Sequence, residues 1–561
     1  MKRRSFVAGV VAVCLLWSGV SYGRPYGIVV SEETRGISEW AQVVDALQAK
    51  YDGRVFTYSA DVWEVLDGLS AYAPTHVAFV SQPLEATDVF VGEVHRLTRA
   101  LDDDPYGDAI WWIVTGYTAE DALRIVSISG FRVRKVLAGT SAAWLPYVQE
   151  GIATSESTYN KMWVKMPDGT VVDTLQCPTD RTTFLVDHLN TNTFDMMITS
   201  GHGQTRKWQL HYPDVGQEGF FMSAFGRVYG HPYAEPDVDI VSTNPKIYFG
   251  LGNCYIGKIT NEHSMAPAWI HTGGAVLYTG YVIPEGRDSY QLGGIPAYFF
   301  IQDRTTWPEG FYLNNQALLF DLENKTPGTN PPDRDGAVLY GDPGLDARVE
   351  PVRPPLYDKT VTVASGGERD TVTVRIRMNE EGAPGFTGKW GNRHPIVLLP
   401  FRVKDVRIEF TDAYKALVTD NFALMYVWKK EDAPLQKGEQ RSVTFTAKRV
   451  AAVTEVEEQL VSMTSSPKGF ALCQNTPNPF NQATAIRYRL STSARVDMRI
   501  YDVQGGLVRT LVDGTQEPGQ HILRWDGQNK DGKNVASGVY FCRLRVGEEG
   551  RMRTRKMVLI R

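Results

Sequence analysis

From residue 26 to about 138, short apolar runs alternate with longer stretches whose apolar positions recur at helical spacing. Residues 27–30, 54–58, 76–80 and 109–115 read as strands, and 37–50 and 89–101 as helices with one apolar face. This alternation predicts right-handed βαβ units around a mostly parallel sheet. Residues 161–173 predict a hairpin turning at Pro167-Asp168-Gly169, and 180–190 a helix. Two further buried strands, 194–199 and 247–250, flank the stretch 204–245. That stretch is rich in Gly, aromatic and polar residues and has no strong period, so it reads as a substrate loop, a self-processing site or a surface hairpin. A helix at 264–271, a strand at 274–280 and helical segments at 292–300 and 311–322 complete the layers, followed by a loop at 327–335.

The texture changes near Pro351. Residues 360–363, 371–376, 402–410 and 442–447 alternate apolar with polar, which predicts a β-sandwich; 451–468 is Ser/Glu-rich and reads as a linker. In the last segment Val496, Met498 and Ile500 alternate with charged neighbours, giving a second sandwich with one wet face. The expected division is a signal peptide at 1–23, two α/β halves at 24–150 and 151–349, a sandwich at 350–450, the linker at 451–468 and a terminal sandwich at 469–561.

Chemistry concentrates at two strand ends. One run closes on Gly201-His202-Gly203 and the other on Gly252-Asn253-Cys254, each delivering a reactive side chain past glycines. Beyond the carboxyl ends of neighbouring parallel strands, His202 and Cys254 share one crevice. The pair makes a nucleophilic dyad: the Cys254 thiolate attacks, the His202 imidazole handles the proton, and backbone N–H groups of Gly203 and Cys254 receive the oxyanion. Asp195 begins the histidine strand, about 20 Å from its end at roughly 3.3 Å per residue, and is a poor third member. Glu262 or an acidic residue of the first half remains open for that role.

His202 precedes Cys254 by 52 residues, close to the spacing in caspases. Strand-Gly-His-Gly followed by strand-Cys254-x-x-Gly257 resembles the caspase, legumain and gingipain group of cysteine peptidases, and 24–349 is most similar to gingipain catalytic domains. Tyr340-Gly341-Asp342-Pro343 is similar to the motif that ends such domains. The chain departs from the group in placing Asn253, where a small residue is usual, before the nucleophile. The resemblance implies an α/β caspase-like fold followed by two all-β Ig-like sandwiches, and a secreted cysteine endopeptidase with no metal and no cofactor. The Asn475–Asn481 stretch, Trp525-Asp526-Gly527, Ser537-Gly538-Val539-Tyr540 and the Arg555–Arg561 end resemble the Ig-like module of flagellar hook-capping proteins and the sorting domains of type IX secretion cargo. This second resemblance implies an address or anchor that engages secretion machinery or the cell surface.

Composition narrows the setting. Lys2-Arg3-Arg4, an apolar run over 6–20 and a small-residue site at Ser21-Tyr22-Gly23 have the layout of a cleaved signal peptide, with cleavage before Arg24. Export through the periplasm of a diderm bacterium to the medium or the cell surface is the expectation. Cleavage shifts the formal net charge from −5 to about −8 and leaves no basic block, so no nucleic-acid partner is expected. No later stretch reaches membrane-spanning length. The few remaining cysteines, Cys177, Cys254, Cys473 and Cys542, argue for individual roles over a disulfide framework, with a Cys473–Cys542 pair left open. Asp102-Asp103-Asp104-Pro105 lacks ligand spacing and reads as a solvated turn; Cys254, His263 and His271 match no zinc pattern. Two rival functions remain: an inactive binding protein on the same scaffold, with an unreactive Cys254, and a self-processing secretion factor that cuts only its own chain or a partner.

Overall fold

The structure is a computed structural model, and it describes residues 25–210, 219–284, 292–327, 329, 334–386, 390–450, 470–472, 475, 480–490, 492–517, 519–547 and 551–560. The expected signal peptide, the linker and Cys473 lie outside the described residues. Two compact units divide at residue 450.

A twelve-stranded sheet forms the body of the first unit. In chain order its strands are β1 (Tyr26–Ser31), β2 (Arg54–Tyr58), β3 (His76–Val80), β4 (Ile110–Val114), β5 (Lys135–Gly139), β6 (Glu150–Thr154), β7 (Met162–Lys165), β8 (Val171–Thr174), β9 (Met196–Thr199), β10 (Lys246–Gly250), β11 (Ala275–Tyr281) and β12 (Ala337–Gly341). Their spatial order is β2-β1-β3-β4-β12-β11-β10-β9-β5-β6-β7-β8. β1 to β4 are mutually parallel, and so are β5, β6, β9, β10 and β11. β12 runs parallel to β4 and antiparallel to β11, so the two parallel halves point in opposite directions. β5 and β6 lie beyond β9, so the 24–150 segment contributes to both halves.

The period of two places successive side chains on opposite faces. Ile28 and Val30 of β1 pack with helices Ser38–Tyr51 and Ala119–Ser127, while Val29 joins helices Leu66–Tyr72 and Asp88–Leu97 on the other face. Helices therefore cover both faces of this half, as continuous apolar strands require.

Several expectations acquire a physical reason. The 162–174 hairpin turns at Gly169, whose φ of +90° suits glycine. Asp180 caps helix Arg181–Asn190, its carboxylate accepting from Thr183 N at 3.0 Å. Three expectations change. The described part of 204–245 forms a small antiparallel sheet of five strands, not a loop or one hairpin. Its strands, Gly203–Gln204, Lys207–Gln209, Phe220–Ala224, Arg227–His231 and Val238–Asp239, are too short to leave a readable period. The 292–300 segment becomes helical only at Ile295, after a turn at Gly293-Gly294, and is wound as a π-helix over Ala297–Ile301.

The third change is β12, which fell between predicted elements. Its exit motif closes the fold: the fully buried Asp342 carboxylate accepts from Tyr26 Oη (2.9 Å), Tyr51 Oη (2.6 Å) and Lys50 Nζ (2.9 Å). First strand and first long helix are thereby tied to the centre of the sheet.

Residues 357–449 form the middle sandwich, with a four-stranded and a three-stranded sheet enclosing Val372, Val374, Phe445, Ala423 and Met425. The second unit is likewise a two-sheet sandwich, with Ile486, Tyr488, Met498, Ile500, Trp525 and Leu544 in its core. Cys542 is buried there and its thiol donates to Met498 Sδ at 3.1 Å; burial pushes that thiol up to about 12. Among the described residues, no helix is long and apolar enough to cross a membrane.

Candidate active site at the ends of β9 and β10

β9 and β10 pair in parallel, with Thr199 opposite Gly250. Both are wholly buried, and both leave the sheet through a glycine of positive φ: Gly201 at +84° and Gly252 at +72°. An L side chain resists that conformation, so the turns belong to glycine. Past them the chain emerges at neighbouring points, with His202 exposed and Cys254 partly exposed. A Cβ added to Gly203 would lie 2.7 Å from Asn253 Cβ and 3.1 Å from its backbone, so the histidine turn rests directly on the residue before Cys254.

Asn253 stitches the two turns together. It is fully buried; its Oδ1 accepts from Thr199 Oγ1 at 2.6 Å and its Nδ2 donates to the Gly201 carbonyl at 3.1 Å. Tyr248 Oη lies 2.9 Å from Thr199 Oγ1 and extends the chain under β10. The departure from the caspase-group pattern thus lies within the protein, as the link between the two turns.

The loop after Cys254 is held as firmly. Tyr255 adopts φ +57°, Gly257 N donates to Tyr281 O at 2.8 Å, and Tyr340 Oη donates to Gly257 O at 2.9 Å. A Cβ on Gly257 would come within 2.6 Å of Val338 and 3.0 Å of Gly280, which explains the glycine three residues after the cysteine.

Neighbouring strand ends add polar groups. Ser200 Oγ donates to the Glu156 carboxylate beyond β6 and pairs with Thr140 Oγ1 beyond β5. Trp208 Nε1 donates to Ser200 O at 2.6 Å, and its ring lies where a Cβ on Gly139 would be, 2.3 Å away. Sequence reading missed Asn253 and Glu156 as members of this cluster. The only signal for Glu156 was its position just past a strand.

Other candidates lie elsewhere. Asp195 accepts from Arg134 N (2.9 Å) and Lys135 N (3.0 Å) at the opposite end of β9. Glu262 is exposed and 3.6 Å from His263 Nε2. The His263 ring meets Phe225 edge-on at 4.3 Å, and His271 Nδ1 lies 3.0 Å from an Asp121 carboxylate oxygen, so these histidines have partners of their own.

Comparison with known proteins gives matches of low identity. FlgD from P. aeruginosa matches at 20% identity over 17% of this chain and 77% of its own, with a TM-score of 0.13. Dimeric latent PorU from Porphyromonas gingivalis matches at 10% identity over 95% of this chain, with a TM-score of 0.21, and this chain spans 64% of it. PorZ of the same organism, an essential surface component of its type IX secretion system, matches at 14% identity over 36% of this chain and 23% of its own, with a TM-score of 0.13. No curated protein matches. Residues 475–547 match the model of the FlgD Ig-like domain family, in agreement with the two-sheet sandwich and the hook-capping resemblance read there.

Proposed function

We propose that the protein is a secreted cysteine endopeptidase of gingipain-like, caspase-like architecture, with Cys254 as nucleophile and His202 as acid and base. The observation that supports this reading is the parallel β9–β10 pair, whose exit turns, one carrying His202 and the other Cys254, are joined through Asn253. The imidazole takes the thiol proton, sulfur adds to the scissile carbonyl, and the backbone N–H groups of Gly203 and Cys254 receive the oxyanion. His202 then protonates the leaving amine, and water attacks the thioester with His202 as base. Glu156, bonded to Ser200 two residues before His202, positions the histidine turn. The terminal Ig-like domain directs export or surface attachment through the type IX route, and the middle sandwich braces the catalytic body.

The test is hydrolysis of a mixed peptide library by the purified full chain, with new termini identified by mass spectrometry. Cuts made by the wild type and absent with Cys254→Ala support the reading. A wild type that makes no Cys254-dependent cut sinks it.

A further inference from the structure

Two distant segments bring three carboxylates together away from the dyad. Asp102 and Asp108 flank the loop that leads into β4, and Asp420 lies in the turn between sandwich strands Lys415–Val418 and Phe422–Tyr426. One oxygen from each lies within 4.8 Å of the others. Asp108 is 3% exposed, and its Oδ2 has no hydrogen-bond partner among the described residues. Leaving such an oxygen dry and unsatisfied is costly.

The nearby positive charge answers only part of this demand. Arg402 pairs with Asp420 and lies 3.8 Å from Asp108 Oδ1, while its Nη2 is committed to the carbonyls of Pro74 and Asp108. One guanidinium therefore lies beside Asp108 and Asp420 in a cluster of three carboxylates. The frame is fixed without further help: Asp102 Oδ1 accepts from Asp104 N (2.9 Å), Asp104 Oδ1 from Tyr106 N (2.8 Å), and Asn421 Nδ2 donates to Asp108 O (3.1 Å). Asp102 is exposed, which gives an ion a path in and room for water to complete its shell.

We propose that Asp102, Asp108 and Asp420 bind a divalent cation of the calcium type, clasping the loop before β4 to the middle sandwich. An all-oxygen set drawn from two elements, with no nitrogen or sulfur donor, suits calcium's long and adaptable bonds better than zinc or copper. The run of aspartates at 102–104 lacks ligand spacing by itself; Asp108 and Asp420 supply what is missing. Because the two halves of the sheet run oppositely, the amino end of β4 shares an edge with the carboxyl ends of β9 and β10. The clasp thus secures the sandwich along the edge from which His202 and Cys254 emerge.

The full chain, stripped with chelator, is titrated with terbium under tyrosine excitation, Tyr106 being two residues from Asp108. Thermal unfolding is then followed with and without millimolar calcium. The wild type should show saturable terbium emission displaced by calcium, and a rise in Tm of roughly 3–5 °C at saturation. Magnesium should produce a smaller rise. Asp102→Asn and Asp108→Asn should lose both responses. In stripped buffer Asp108→Asn should unfold no earlier than the wild type, since it removes repulsion, and this separates loss of the ion from loss of the fold. A wild type with neither response, or responses that survive in both variants, would overturn the site.

Discussion

In the β1–β4 half of the sheet, strands lead into helix caps: Ser31 closes β1 and its Oγ accepts from Thr34 N at 3.0 Å, and β4 leads to Thr118, which caps helix Ala119–Ser127. In the β9–β10 half, strands of the same buried character exit through Gly201 and Gly252 into turns that carry His202 and Cys254. A polar side chain at a strand end is consumed when a helix begins there, because it satisfies the helix's first N–H groups. Where glycine turns the chain outward, the next side chain is left for chemistry. The half that carries the proposed dyad differs from the β1–β4 half in how its strands stop.

This contrast can be broken in graded ways. His202→Ala should slow reaction of Cys254 with a peptidyl electrophile roughly 10²–10⁴-fold, read by mass spectrometry over time. Next in size is the joint between the halves. His95 is buried, its Nε2 lies 2.8 Å from Ala337 O at the start of β12, and burial lowers its pKa to about 4. The unfolded chain binds that proton below about 6.5 and the folded chain only below about 4. Stability is therefore lost as pH falls through this window, by at most roughly 3 kcal/mol. Urea unfolding across the window should show this slope flattened in His95→Gln.

Asn253→Ala should cost about 2–3 kcal/mol in urea unfolding, because Thr199 Oγ1 and Gly201 O lose their buried partner. It should also slow Cys254 labelling without abolishing it. The smallest effect belongs to the β1–β4 half: Ser31→Ala should cost about 1 kcal/mol and leave the labelling rate unchanged. A Ser31→Ala variant that slowed labelling as much as Asn253→Ala would erase the distinction between the halves.

What the sequence made legible was local. The runs at 54–58 and 76–80 declare themselves by period and composition, and each matches its strand residue for residue. His202 and Cys254 stood out because each follows a buried run and a glycine. β12 was hidden because five residues among glycines carry no period, and its place between β4 and β11 is fixed by distant partners such as Tyr26 and Lys50 on Asp342. Asn253 looked like an anomaly because its partners, Thr199 and Gly201, are more than 50 residues away. Asp108 and Asp420 were separated by the same problem on a larger scale. Spacing can reveal a site built within one segment; a site built between segments needs the topology.

The most direct test is mass-mapped labelling of the full chain by a peptidyl electrophile, with wild type, Cys254→Ala and His202→Ala side by side and a small alkylating agent as control. The account predicts rapid modification at Cys254 in the wild type, none at that position in Cys254→Ala, and near-complete loss of the peptidyl reaction in His202→Ala. Equal labelling of Cys254 in wild type and His202→Ala, or no labelling of Cys254 at all, would contradict it.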